Sequence, residues 1–204
     1  MPRAKRVRAE VKRAELLKVA TEMFLAKGYD SVSVDSIIAR TGGTKSNVYY
    51  FFGSKAELFA EVVEDLCAQI VHSFAQLELD TANPEEALRE VGRRFLGALL
   101  TKRSIRQHRM VVAESARFPA VGKRWFKAGP ENARTPLATY FEKLQKAGKL
   151  GKVPPRRLAG LFLDMLSEEQ LLRQLIAGAP EPSTREINKL VDEVVTVFLH
   201  GALK

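Results

Sequence analysis

Residues Ser33–Leu58 read SVDSIIARTGGTKSNVYYFFGSKAEL, and the fold turns on them. Val34, Ile37 and Ile38 recur at helical spacing, which predicts a short helix from just after Ser33 to about Thr41, with Ser33 as its cap. Gly42 and Gly43 then supply a sharp turn, because a residue without Cβ takes the left-handed backbone conformation at little cost. Thr44 is placed to cap a second short helix, along which Val48 and Phe52 fall four residues apart on one face. Lys45, Ser46, Asn47, Tyr49 and Tyr50 are left for the other face, and no core needs them. Two helices joined by a glycine turn, the second presenting donors, acceptors and aromatic rings, describe a helix-turn-helix whose second helix enters a DNA major groove.

Gly28, Tyr29, Ser33, Val34, Ile38, Ala39, Gly42, Thr44, Lys45, Tyr49, Tyr50, Phe52, Ser54, Lys55 and Leu58 fall on the pattern of the TetR family of bacterial transcription regulators. The chain resembles that family over most of residues 1–60. Nothing in the chain alternates with period two for long, so an all-α fold of about nine or ten helices is expected. A three-helix DNA-binding domain over residues 1–54 is expected to precede a helical bundle over 55–204 that binds ligand and dimerises. The resemblance implies a transcription regulator, a repressor released from its operator by a small molecule. Two residues depart from the pattern: Gly43 stands where the family has an apolar residue to pack on Val48, and Phe51 replaces a His or Tyr able to bond a phosphate.

Composition is that of a globular protein, and the placement of charge fits a phosphate partner. The chain is 46% apolar and 28% charged, as soluble globular proteins are, and its 204 residues suffice for a full core. The net charge of +9 is unevenly placed: residues 1–55 hold 11 basic against 5 acidic residues, and the remainder holds 22 against 19. The positive end is thus the end with the helix-turn-helix, as a phosphate backbone rewards. A single cysteine, Cys67, excludes an intrachain disulfide and reads as a small buried hydrophobe. His72, His108 and His200 are scattered singly, so no metal or cofactor is expected. The N-terminus lacks the apolar stretch of a signal peptide and no run approaches a membrane span, so the expected compartment is the cytoplasm, with no membrane partner.

In chain order, residues 1–8 (MPRAKRVR) are expected to be a flexible basic arm able to touch phosphates or a minor groove. A scaffolding helix follows from Ala9 to Lys27, ended by Gly28. Ser54, with Glu57 three residues later, forms a capping-box pattern for a long helix reaching about Leu79. Asn83-Pro84 starts the next helix, Ser104 is a candidate cap for another, and Gly129-Pro130 reads as a break. The last two helices, 155–177 and 183–202, carry apolar stripes wider than one packing partner needs. They are expected to pair with their copies in a homodimer, since a helix-turn-helix reading two half-sites of a palindromic operator in double-stranded DNA uses a symmetric dimer.

Base readout is assigned to Lys45, Ser46, Asn47 and Tyr49: Asn bonds adenine at two atoms, Lys bonds guanine, and the tyrosine ring meets a thymine methyl or a phosphate. Ser33, Thr44, Tyr50 and Lys55 are assigned to positioning on the backbone, with Arg40 as a further candidate. The unknown small-molecule effector is expected between helices, with Phe95, Met110, Glu114, Phe118, Trp125, Phe162 and Met165 as candidate walls. Glu114 is alternatively a partner for Arg117 or Arg109. Two other readings stay open: a DNA-binding organiser without ligand, and an all-helical enzyme, for which no catalytic constellation is visible.

Overall fold

The computed structural model describes residues 3–201, which form ten α-helices and no strand. In chain order these are α1 (Arg3–Lys27), α2 (Val34–Thr41), α3 (Lys45–Phe52), α4 (Lys55–Ala75), α5 (Pro84–Leu99), α6 (Lys102–Ser115), α7 (Pro119–Phe126), α8 (Asn132–Lys146), α9 (Pro155–Leu175) and α10 (Thr184–His200). None of the described helices is long and apolar enough to cross a membrane.

The chain folds as two compact units, the first running up to Leu66 and taking in Arg109–Trp125, the second made of Cys67–His108 and the chain from Phe126 onward. The boundary expected at residues 54/55 falls at the start of α4, but the first unit continues to Leu66 because α4 gives Leu58, Phe59, Val62, Val63 and Leu66 to its core. Leu16, Ala20, Met23 and Phe24 of α1, Ile37 of α2, Val48 and Phe52 of α3, and Met110, Val111 and Val121 complete that core. Phe24, Tyr29 and Phe59 meet as an aromatic trio, with ring centroids 4.9 to 5.9 Å apart. In the second unit, α5, α8, α9 and α10 close around Leu88, Val91, Phe95, Leu96, Leu137, Phe141, Phe162, Leu166, Val191 and Val195.

Several expectations change. Arg3–Arg8 are helical, as the start of α1, where a flexible arm was expected; Arg and Ala are strong helix formers, and Arg6 pairs with Glu10 one turn on at 3.4 Å. The rest of that arm, Met1 and Pro2, lies outside the described residues. The long helix stops at Ala75, short of Leu79. Thr101, not Ser104, caps α6: its hydroxyl accepts from the Ser104 N–H at 3.2 Å, and Ser104 is buried within the helix. Gly129-Pro130 does not end helical structure: Lys127–Glu131 form a π-helical turn, with Pro130 inside it, between α7 and α8 in the chain. Asn83 caps α5 as expected, accepting from the Glu86 N–H at 3.2 Å with Pro84 at the first helical position.

Candidate nucleic-acid interface

α2 begins with a reciprocal cap: Ser33 Oγ accepts from the Ser36 N–H at 3.0 Å, and Ser36 Oγ accepts from the Ser33 N–H at 3.1 Å. It ends at Gly42, whose N–H donates to the Ile38 carbonyl at 2.7 Å and whose φ of +70° then turns the chain out of the helix. Lys12 of α1 donates to the Thr41 carbonyl at 2.5 Å, satisfying a carbonyl freed at the helix end. Gly43, at φ +100°, carries the chain into α3.

Burial sets the roll of α3. Val48 is fully buried and Phe52 nearly so, and each large apolar side chain removed from water contributes roughly 1.5–3 kcal/mol. The opposite face therefore stays in solvent: Lys45, Ser46, Tyr49 and Tyr50 are exposed and Asn47 is half-buried. Thr44 occupies the N-cap position but makes no side-chain cap bond; its hydroxyl lies 3.5 Å from Asn47 Oδ1 and donates to it. Lys45 is paired with Asp35 of α2 at 2.9 Å, and that carboxylate raises its ammonium above the ordinary lysine range. Arg40 is held by Glu22 of α1 at 2.9 Å. Tyr50 stacks edge-on against Phe51 with centroids 5.1 Å apart.

α4 enters behind Gly53 with Ser54 Oγ accepting from the Glu57 N–H at 3.1 Å. Only that half of the expected capping box forms, because the Glu57 carboxylate accepts from Arg124 Nη1 at 2.6 Å. The rest of the Arg124 guanidinium binds Glu64 in a two-bond fork at 2.8 and 2.7 Å, which fixes α7 to α4. Lys55, in the first turn of α4, is half-buried with its ammonium 4.0 Å from the centre of the Tyr29 ring, and burial lowers its pKa. The sequence alone does not assign Asp35, Lys12, Asp30, Arg117 and Arg124 to the interface. No local pattern marks them, since each acts through a neighbour from a different helix or turn.

The seven candidate pocket residues are dispersed. Phe95 and Phe162 lie in the core of the second unit, and Met165 is 42% exposed on α9. Met110 lies in the core of the first unit, with Phe118 and Trp125 packed against it, and Glu114 sits 4.0 Å from Arg117 Nη1. None of them lines the cavity of about 590 Å³ in the second unit, whose walls include Phe74, Leu79, Leu137, Tyr140 and Lys143. Tyr140 donates from its hydroxyl to the Asp80 carbonyl at 2.7 Å there, and burial pushes its pKa up to about 12.

A family model described as "Bacterial regulatory proteins, tetR family" matches residues 16–62, and one described as "AefR-like transcriptional repressor, C-terminal domain" matches residues 86–201. The HTH-type transcriptional repressor NicS of Pseudomonas putida is 36% identical over 83 residues, which is 41% of this chain and 39% of that protein. The HTH-type regulator Rv1556 of Mycobacterium tuberculosis is 27% identical over 187 residues, 89% of this chain and 84% of that protein. Among solved structures, a TetR-family regulator from Mesorhizobium loti superposes with a TM-score of 0.80 at 27% identity, covering 94% of this chain and 96% of that one. The flavonoid-responsive regulator FrrA superposes with a TM-score of 0.78 at 26% identity, covering 93% and 96%. With a capped helix-turn-helix presenting an open polar face, and family models matching both its ends, the chain belongs to the TetR family of bacterial regulatory proteins and is a DNA-binding transcription regulator.

Proposed function

We propose that the protein is a cytoplasmic repressor that binds a palindromic operator as a homodimer and leaves it when a small molecule binds. Residues 1–54, with Lys55 at the head of α4 as a phosphate contact, bind DNA, and the rest of 55–204 regulates and dimerises. The observation that carries the reading is the solvent-facing side of α3, with Val48 and Phe52 turned inward and Lys45, Ser46, Asn47 and Tyr49 turned away from the core. Repression is supported by the name of the relative NicS and by the description of the C-terminal family model. Asn47 discriminates bases; Ser33, Thr44, Tyr50, Lys55 and Arg40 fix register on phosphates.

Dimerisation is supported by apolar side chains that the protomer leaves in water. Leu161, Met165 and Leu172 of α9, Ile176 at its C-cap and Val197 of α10 are 39 to 82% exposed, and the first four recur close to whole helical turns. A second copy of the same helix pair covers such a stripe symmetrically. For the effector, the cavity beside Tyr140 has the volume of a small-molecule site, and FrrA supplies a relative named for its response to a small molecule.

Selection of bound duplexes from a random pool, followed by titration of the variants, tests this reading. Asn47→Ala is expected to lose discrimination at one base pair by about 1–3 kcal/mol, and Lys55→Ala to weaken all sequences alike. Uniform loss in both, or no duplex binding at low salt, overturns it. Sedimentation of a Leu172→Glu/Ile176→Glu protein is expected to give a monomer with weakened operator binding; an intact dimer refutes the interface.

A further inference from the structure

We propose that Arg117 is a positioning residue for DNA binding: by holding the Asp30 carboxylate, it keeps the Lys55 ammonium available to a phosphate. The proposal rests on the reading of Lys55 as a phosphate contact and assigns what controls that contact.

Four charged groups meet around two aromatic rings of the first unit. Arg117 Nη1 donates to both carboxylate oxygens of Asp30, at 2.6 and 2.8 Å, and lies 4.0 Å from Glu114 Oε2. Its guanidinium sits 5.0 Å from the centre of the Phe118 ring, and that ring meets Tyr29 edge-on at 4.9 Å. Lys55 lies on Tyr29, 4.0 Å from the ring centre. Asp30, Glu114 and Arg117 all act electrostatically on Lys55, yet Lys55 makes no ion pair with either acid among the described residues.

The charges explain why. Two cations face two carboxylates, and Arg117 is seated between both acids. Asp30 therefore spends its oxygens on a guanidinium, which pairs with a carboxylate better than a flexible ammonium does. Lys55 is left with a ring face, a weak partner that a phosphate displaces. Without Arg117, the Asp30 carboxylate loses the guanidinium that holds both of its oxygens and is open to Lys55. Partial burial already disfavours its charge, so an internal partner is strongly attractive to it. A carboxylate bound to Lys55 competes directly with DNA.

Titration of operator DNA against salt tests this with four proteins besides wild type: Lys55→Ala, Arg117→Ala, Asp30→Asn, and Arg117→Ala/Asp30→Asn. In the homodimer, losing the Lys55 contact removes two phosphate contacts, one per protomer, and lowers the slope of log K against log salt by about 1.8, which is roughly a twelvefold affinity difference across a fourfold change in salt. Arg117→Ala is expected to lose that slope as fully as Lys55→Ala, and the double variant to recover it, because the competing carboxylate is gone. Asp30→Asn alone is expected to keep the wild-type slope. Arg117 and Asp30 are surface side chains, 58% and 66% exposed, so the folded state is expected to survive, and melting curves check it. If Arg117→Ala keeps the wild-type slope while Lys55→Ala loses it, the inference fails and the phosphate contact stands. If the double variant stays as weak as Arg117→Ala, Arg117 acts otherwise than through Asp30. If Lys55→Ala changes nothing, the phosphate contact fails and takes the inference with it.

Discussion

A β-carbon at Gly43 would stand 2.8 Å from Asn47 Nδ2, closer than any real contact allows. The absence of the family's apolar residue there thus has a use: Val48 is fully buried without it, and the vacated space is where the Asn47 amide lies. Gly43→Ala is expected to act twice. At φ +100° a side chain strains the backbone, on the order of 1–2 kcal/mol by analogy with the left-handed region, and it displaces Asn47. Urea denaturation reads the first effect. Competition between operator variants reads the second, as altered preference at the base pair that Asn47→Ala also disturbs; unchanged preference means the amide is not aimed from this position. Lys45 has a related constraint, since the Asp35 carboxylate at 2.9 Å must give way to a nucleobase or share its partner.

At the scale of elements, two contacts decide how helices sit together. Gly92 brings α5 against α10 so closely that a Cβ would fall 2.9 and 3.1 Å from the two methyls of Val191, which is fully buried. Gly92→Ala gains helix propensity but overfills the core, and we expect a net loss of about 1–3 kcal/mol. Pairing it with Val191→Ala should recover part of that loss in a denaturation series. Arg124 fastens α7 to α4 through Glu57 and Glu64. The fork is partly exposed, so water screens it, and Arg124→Ala is expected to cost about 1 kcal/mol, shrinking as salt rises. Arg124→Lys keeps the charge without the two-bond geometry and should recover little of it. Thermal melts at low and high ionic strength separate these outcomes.

For the whole molecule, stability should depend on pH through His108. Its Nδ1 lies 2.8 Å from the Ser104 carbonyl, which makes Nδ1–H the donor, and burial lowers its pKa below the ordinary value of 6.5. The unfolded chain thus takes up a proton near pH 6.5 that the folded chain accepts only at lower pH, so stability falls as pH drops through that window. The midpoint of unfolding is expected to decline between pH 7 and 5, and less steeply in His108→Gln. Equal slopes in the two proteins refute the assignment.

Periodicity and local chemistry made most of the elements legible. The spacing of Val34, Ile37 and Ile38, the Ser33 cap, the Gly42-Gly43 turn and the inward pair Val48 and Phe52 are interactions within a few residues, and they suffice to place α2, the turn and the outer face of α3. The limits of the elements were less legible: the sequence suggested a break at Gly129-Pro130 and a cap at Ser104, where the chain makes a π-helical turn and uses Thr101. What the tertiary structure alone decided is who neutralises whom. Asp35 on Lys45, Arg117 on Asp30 and Arg124 on Glu57 and Glu64 join groups from different helices and turns, and the division of the apolar candidates between two cores followed the packing of distant segments. A sequence records the period of a helix because neighbouring residues enforce it; it carries no such record of a charge's partner, which is fixed only when separate helices come within a few ångströms.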